Sequence, residues 1–132
     1  MARPSSPRNL SASGVSGAGR PPKPTTAFCA VDEDVSAYGL LSHRHTAEIE
    51  MNLGATVLFT PHLVPMNRGI LATCTAKPAN PDARVDTEGL LSAMADFYDS
   101  EPFVVVSDRS PSTKATLGTN AIHMTARWDH RT

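Results

Sequence analysis

The chain has 132 residues, a formal net charge of -1 at pH 7, 40% hydrophobic residues and 5% aromatic ones. That length holds one domain at most, the near-neutral charge gives no general attraction to nucleic acid or an anionic membrane, and rings are too few to dominate a core. No apolar run reaches the roughly 20 residues that span a bilayer, no apolar stretch follows the basic start to make a secretory signal, and Cys29 and Cys74 form no CxxC pattern, so a reducing cytoplasm is the expected location.

Residues 1–27 are rich in Pro, Ser, Gly and Arg, and Pro4, Pro7, Pro21, Pro22 and Pro24 suppress regular structure there. The stretch predicts a disordered extension over residues 1–12, followed by a domain over residues 13–132. The domain begins with a glycine-rich loop, Ser13-Gly14-Val15-Ser16-Gly17-Ala18-Gly19-Arg20, with no strand read ahead of it. Residues 27–38 hold only a short extended piece. Residues 47–53 predict a short helix: Thr46 as N-cap, Glu48 in the first turn, Ile49 and Leu53 on one face, Gly54 as the stop.

Residues 56–60 are β-branched and apolar and predict a strand that Pro61 ends. Residues 69–76 predict a second strand, and Pro78, Asn80 and Pro81 mark the loop after it. A longer helix is expected over residues 87–98, capped by Asp86 or Thr87, with Leu90, Leu91, Met94, Phe97 and Tyr98 as its apolar stripe. Residues 103–106 and 121–128 predict two more strands, the latter alternating Ile122, Met124, Ala126 and Trp128 with polar neighbours. Together these elements predict an α+β fold: a mixed, mostly antiparallel sheet with helices packed on one face. The last four residues look like a hairpin tip without its return strand.

Candidate chemistry gathers at Ser42-His43-Arg44-His45-Thr46-Ala47-Glu48-Ile49. An imidazole exchanges a proton near pH 7, as general acid–base catalysis requires, and Arg44 can grip a carboxylate or phosphate. Of His43 and His45, one can face a site while the other supports it. A solvated polar loop at a helix start is the competing reading. The glycine run offers free backbone N–H groups, Ser hydroxyls and the Arg20 fork to an anion, against a plain flexible tail. His43, His45, His62, His123 and Cys74 are suitable metal ligands by type, but no tight second pair completes a zinc spacing. Cys74, inside an apolar strand, reads as a buried thiol.

At these residues the chain resembles a known family. Ser13–Arg20, Ala37-Tyr38-Gly39, His43-Arg44-His45-Thr46-Ala47-Glu48-Ile49, Phe59-Thr60-Pro61-His62-Leu63-Val64-Pro65-Met66 with Arg68-Gly69-Ile70-Leu71-Ala72-Thr73, Glu101-Pro102-Phe103-Val104 and Leu117-Gly118-Thr119-Asn120 stand in its order and spacing. The family is N-acetyl-gamma-glutamyl-phosphate reductase, and the likeness is to its C-terminal, substrate-binding and dimerisation domain, which resembles that of glyceraldehyde-3-phosphate dehydrogenase. The resemblance implies NADPH-dependent reduction of N-acetylglutamyl 5-phosphate to the semialdehyde in arginine biosynthesis. It gives His43 an acid/base role, with His45 as second choice, and places Arg44 on the substrate. Ser16, Gly17, Gly19 and Arg20 fall on the NADP(H) side, and the segment from Phe59 to Thr73 on a dimer interface.

The departures bear on activity. The family's nucleophilic cysteine stands in an Asn-x-Gly-Cys-Tyr motif that this sequence lacks, and the glycine fingerprint of a dinucleotide-binding domain is absent. Family members usually carry proline at the position of Ala47, and residues 1–10 match nothing in the pattern. The expectation is therefore a reductase fragment, inactive alone. Whether the chain is itself an enzyme stays open. The alternatives are a non-catalytic dimerisation module that pairs with a reductase subunit, and a small histidine-based metal-binding protein.

Overall fold

The computed structural model describes residues 8–14, 24, 32–80 and 83–131. The chain divides into two compact units, Met1–Pro81 and Asp82–Thr132.

The first unit is a four-stranded sheet with one helix. Its strands are β1 (Arg8–Gly14), β2 (Ser36–Ala37), β3 (Val57–Leu63) and β4 (Ile70–Thr75), in the order β2-β3-β1-β4, and its helix is α1 (His45–Leu53). Strand β1 lies where the sequence predicts no regular structure. It is interior, parallel to β3 with Arg8 opposite Val57 and Gly14 opposite Leu63, and antiparallel to β4 with Leu10 opposite Cys74. Asn9-Leu10-Ser11-Ala12-Ser13 has no proline, so each residue can donate to a ladder, and its partners decide its conformation more than its composition does. The glycine run therefore does have a strand ahead of it: Ser13 and Gly14 are the last two residues of β1.

Strand β3 is longer than predicted because Pro61 does not end it. The Pro61 carbonyl accepts the Tyr38 N–H at 3.1 Å, so the proline nitrogen also faces the β2 side. There β2 pairs only with His62 and Leu63, so at most the one bond back to Tyr38 is lost, at the end of a short edge strand. Along β3, Val57 and Phe59 are only 6% and 9% exposed while Leu58 is 42% exposed, an alternation that sets the core face. Strands β3 and β4 do not pair with each other, since β1 stands between them.

Helix α1 begins two residues earlier than predicted. Its N-cap is Arg44, already in the right-handed helical region, whose own side chain makes no capping bond; Thr46 lies inside the helix. Gly54 ends it as expected, at φ 61°, with its N–H on the Glu50 carbonyl. Glu50 also ties the helix to the sheet, its carboxylate accepting the Val57 N–H at 2.9 Å.

The second unit has helix α2 (Thr87–Phe97), strands β5 (Val104–Val106) and β6 (Ile122–Met124), and a 3₁₀ turn over Thr113–Thr116. Asp86 caps α2, its carboxylate accepting the Gly89 N–H at 2.7 Å. Leu90, Leu91, Met94 and Tyr98 are half-buried as the stripe predicts, but Phe97 is 77% exposed and stands outside it. Strands β5 and β6 are parallel, with the 3₁₀ turn in their crossover. Strand β6 covers three residues rather than eight because β5 gives it only three partners, and beyond it the Trp128 N–H turns to the Thr87 hydroxyl.

The α+β class and the mixed sheet are as expected. The antiparallel majority is not: among the described residues two strand pairings are parallel and two antiparallel. No described helix is long and apolar enough to cross a membrane.

Candidate functional site

The His43-Arg44-His45 segment sits at the start of α1, delivered by a tight turn. Strand β2 aligns Tyr38 with Pro61 on β3, after which Gly39 at φ 59° and Leu41 at φ 58° reverse the chain. The Gly39 carbonyl accepts the Ser42 N–H at 3.1 Å, and the His43 carbonyl accepts the Thr46 N–H at 3.0 Å.

This places the His43 ring edge-on to three others. Its centroid lies 5.4 Å from Tyr38, 5.2 Å from Phe59 and 4.8 Å from His45, at interplanar angles of 70–72°. Such edge-to-face pairs are favoured by the ring quadrupoles. The backbone N–H of His45 donates to His43 Nδ1 at 3.2 Å. That N–H belongs to the first turn of α1 and has no carbonyl within the helix to meet, so the imidazole does the work of a cap. The sequence predicts a polar site near the surface here. The structure instead half-buries His43 against Phe59, a buried side chain of β3.

His45 and Arg44 face differently. With Ala47, Glu48 and Met51 they line an open, shallow groove of about 520 Å³, which His43 does not line. His45 Nε2 is 4.0 Å from the Glu48 carboxylate, on an exposed surface. The segment thus has one half-buried imidazole, His43, and one exposed imidazole, His45, with the two rings in edge contact. Tyr38, Gly39 and Phe59, which surround His43, were not singled out as site residues from the sequence. Their signal was available in the adjacency of Ala37-Tyr38-Gly39 to the histidines and in the β3 alternation.

Ser16, Gly17, Gly19 and Arg20, expected on the cofactor side, lie outside the described residues, as does Cys29. The groove beside α1 is open and sets the Glu48 carboxylate beside Arg44 and His45. Cys74 is exposed on β4 rather than buried, yet its surroundings remove enough water to push its thiol above the ordinary value of 9.0. A thiol so shifted is a poor nucleophile at neutral pH. Among the described residues no three His, Cys, Asp or Glu side chains converge to hold a metal ion, so the set of His43, His45, His62, His123 and Cys74 is not assembled.

Of the expected interface segment from Phe59 to Thr73, β3 is interior to the sheet and its Phe59 is buried. Strand β4 is the edge, exposed along its length, with Ile70 at 74%.

Residues 2–132 match the semialdehyde dehydrogenase, dimerisation domain family, a match that takes in residues 2–10, where the sequence pattern alone finds no likeness. The chain is similar to N-acetyl-gamma-glutamyl-phosphate reductases. It is 46% identical to that of Acidothermus cellulolyticus over 91% of this chain and 37% of the relative. It is 47% identical to that of Desulforudis audaxviator over 91% and 36%, and 44% identical to that of Rhodopirellula baltica over 89% and 36%. The chain thus spans little more than a third of the length of these relatives, and the HRHT and FTPHLVP runs point to the same reductases.

Proposed function

The chain belongs to the semialdehyde dehydrogenase dimerisation-domain family, and from that premise we propose that it supplies the substrate-side and dimerisation part of an N-acetyl-gamma-glutamyl-phosphate reductase. The reaction is the reduction of N-acetylglutamyl 5-phosphate to the semialdehyde, for which NADPH supplies the hydride. His43 carries the acid/base role and Arg44 orients the anionic substrate. One observation above all supports this reading: in a chain so similar to the reductases, the first turn of α1 holds an imidazole whose Nδ1 is bound and whose ring is flanked by Tyr38 and Phe59. A ring fixed in this way exchanges its proton through the other nitrogen, in one direction, as general acid–base catalysis needs.

The sequence has no Asn-x-Gly-Cys-Tyr motif, and the Cys74 thiol is held protonated. Acyl transfer needs a thiolate, so this chain does not turn over by itself. The test is NADP-dependent phosphorolysis of N-acetylglutamate semialdehyde, first with the purified chain and then with added dinucleotide-binding domain of a reductase carrying the cysteine motif. The expected result is no turnover alone, and turnover on mixing that His43→Ala abolishes. Turnover by the chain alone, or turnover on mixing that ignores His43, overturns the reading.

A second reading is a non-catalytic dimerisation module for a reductase subunit. The exposed apolar edge at Ile70 and Leu71 favours it. Turnover on mixing decides against it.

A further inference from the structure

His43 touches one residue whose lack of a side chain matters. A Cβ built on Gly39 would lie 3.0 Å from His43 Cδ2 and 3.3 Å from His43 Cβ. Such contacts are tighter than nine in ten that real Cβ atoms make, so the ring would have to give by a few tenths of an ångström, and the φ of +59° is one that L side chains rarely adopt. Any side chain at position 39 therefore has to push the imidazole away. The ring has little room to yield, since Tyr38 and Phe59 meet it on other edges. The bond from the His45 N–H to Nδ1 is 3.2 Å, already at the long end for N–H donors, so a small displacement breaks it.

A neutral imidazole carries one proton, and a nitrogen that accepts a hydrogen bond cannot be the one that holds it. The His45 amide thus selects the form of His43 with its proton on Nε2. We propose that Gly39 is the positioning residue for His43: its bare α-carbon lets the ring seat with Nδ1 on the first amide of α1, which fixes Nε2 as the nitrogen that gives and takes the proton. This rests on the acid/base assignment above and adds the working atom and the residue that sets it.

The test is nitrogen NMR of the full chain, labelled with ¹⁵N, at about pH 8.5, well above the ordinary imidazole range. A scalar coupling through the hydrogen bond between the His45 amide nitrogen and His43 Nδ1 is expected, with the ring pattern of the Nε2–H form. Gly39→Ala should remove the coupling and reduce the preference for that form by about fivefold, the bias that one such bond supplies. Gly39→Asn should do the same; asparagine tolerates the left-handed backbone, so it keeps the turn while adding a Cβ. Unchanged amide signals from β4, in the same compact unit as His43, report that this unit is folded. A wild-type ring protonated on Nδ1, or a coupling that survives both substitutions, overturns the proposal.

None of these readouts needs turnover. Coupling in place without His43-dependent turnover removes the functional reading alone. Turnover through His43 without the coupling removes this inference alone.

Discussion

Phe59 joins the small core to the histidine site, so truncating it tests both. It is 9% exposed, shares the buried face of β3 with Val57, and meets the His43 ring at 5.2 Å. Phe→Ala in a packed interior costs about 3–5 kcal/mol, which includes the loss of aromatic contacts of about 0.5–1.5 kcal/mol. The low end, about 3 kcal/mol, applies here because Val57 and Pro61 are the only other buried side chains among the described residues. The control is its chain neighbour: Leu58 is 42% exposed, and Leu58→Ala should cost about 1 kcal/mol. The difference of about 2 kcal/mol corresponds to roughly thirtyfold in the opening equilibrium. Amide hydrogen exchange of β3 at a series of urea concentrations measures it. The His45 amide should also exchange faster in Phe59→Ala, because the ring that holds its acceptor has lost a wall. Equal losses from the two substitutions, or a larger loss from Leu58→Ala, would refute the assignment of the core face.

Asp86→Ala should cost about 1 kcal/mol in the second unit and speed exchange of the Gly89 amide, whereas Asp86→Asn, which keeps an acceptor, should cost little. Asp129 is paired with Arg131 at 2.8 Å, and the side-chain and backbone hydrogen bonds from Arg131 hold its carboxyl below the ordinary value of 3.8. A lowered folded value favours the fold above the unfolded value and loses that contribution as pH falls through the folded one, so the pair should open below about pH 3.8. NMR titration should place Asp129 under that value and Arg131→Gln should return it. Ile70→Lys puts a charge on the exposed edge strand β4 and should weaken self-association of the chain at least tenfold by sedimentation, leaving β3 exchange unchanged; unaltered association would take β4 out of the interface.

What the sequence made legible was set by local signals. Asp86, the apolar stripe and Pro102 bound α2 within one residue, because a cap and a 3.6-residue period act within a few positions. Gly54 ended α1 for a similar reason, since only glycine takes φ 61° there without cost. Strand β1 was not legible. Asn9-Leu10-Ser11-Ala12-Ser13 has little strand propensity of its own, and its place between β3 and β4 depends on residues about fifty and sixty positions away. Phe97 and the short β6 failed likewise: periodicity says which residues could face a partner, not how long that partner is.

Ala47 shows how one residue moves the reading of the site. The sequence reading started α1 at position 47 with Thr46 as cap, which is where the proline of other family members would force it, because the residue before a proline is kept out of the helical region. Alanine imposes no such limit. Thr46 takes the helical conformation, the helix runs back to His45, and Arg44 becomes the N-cap. The first helical N–H is then that of His45, and it donates to His43 Nδ1 at 3.2 Å. In this chain the two extra helical residues and the bound imidazole come together.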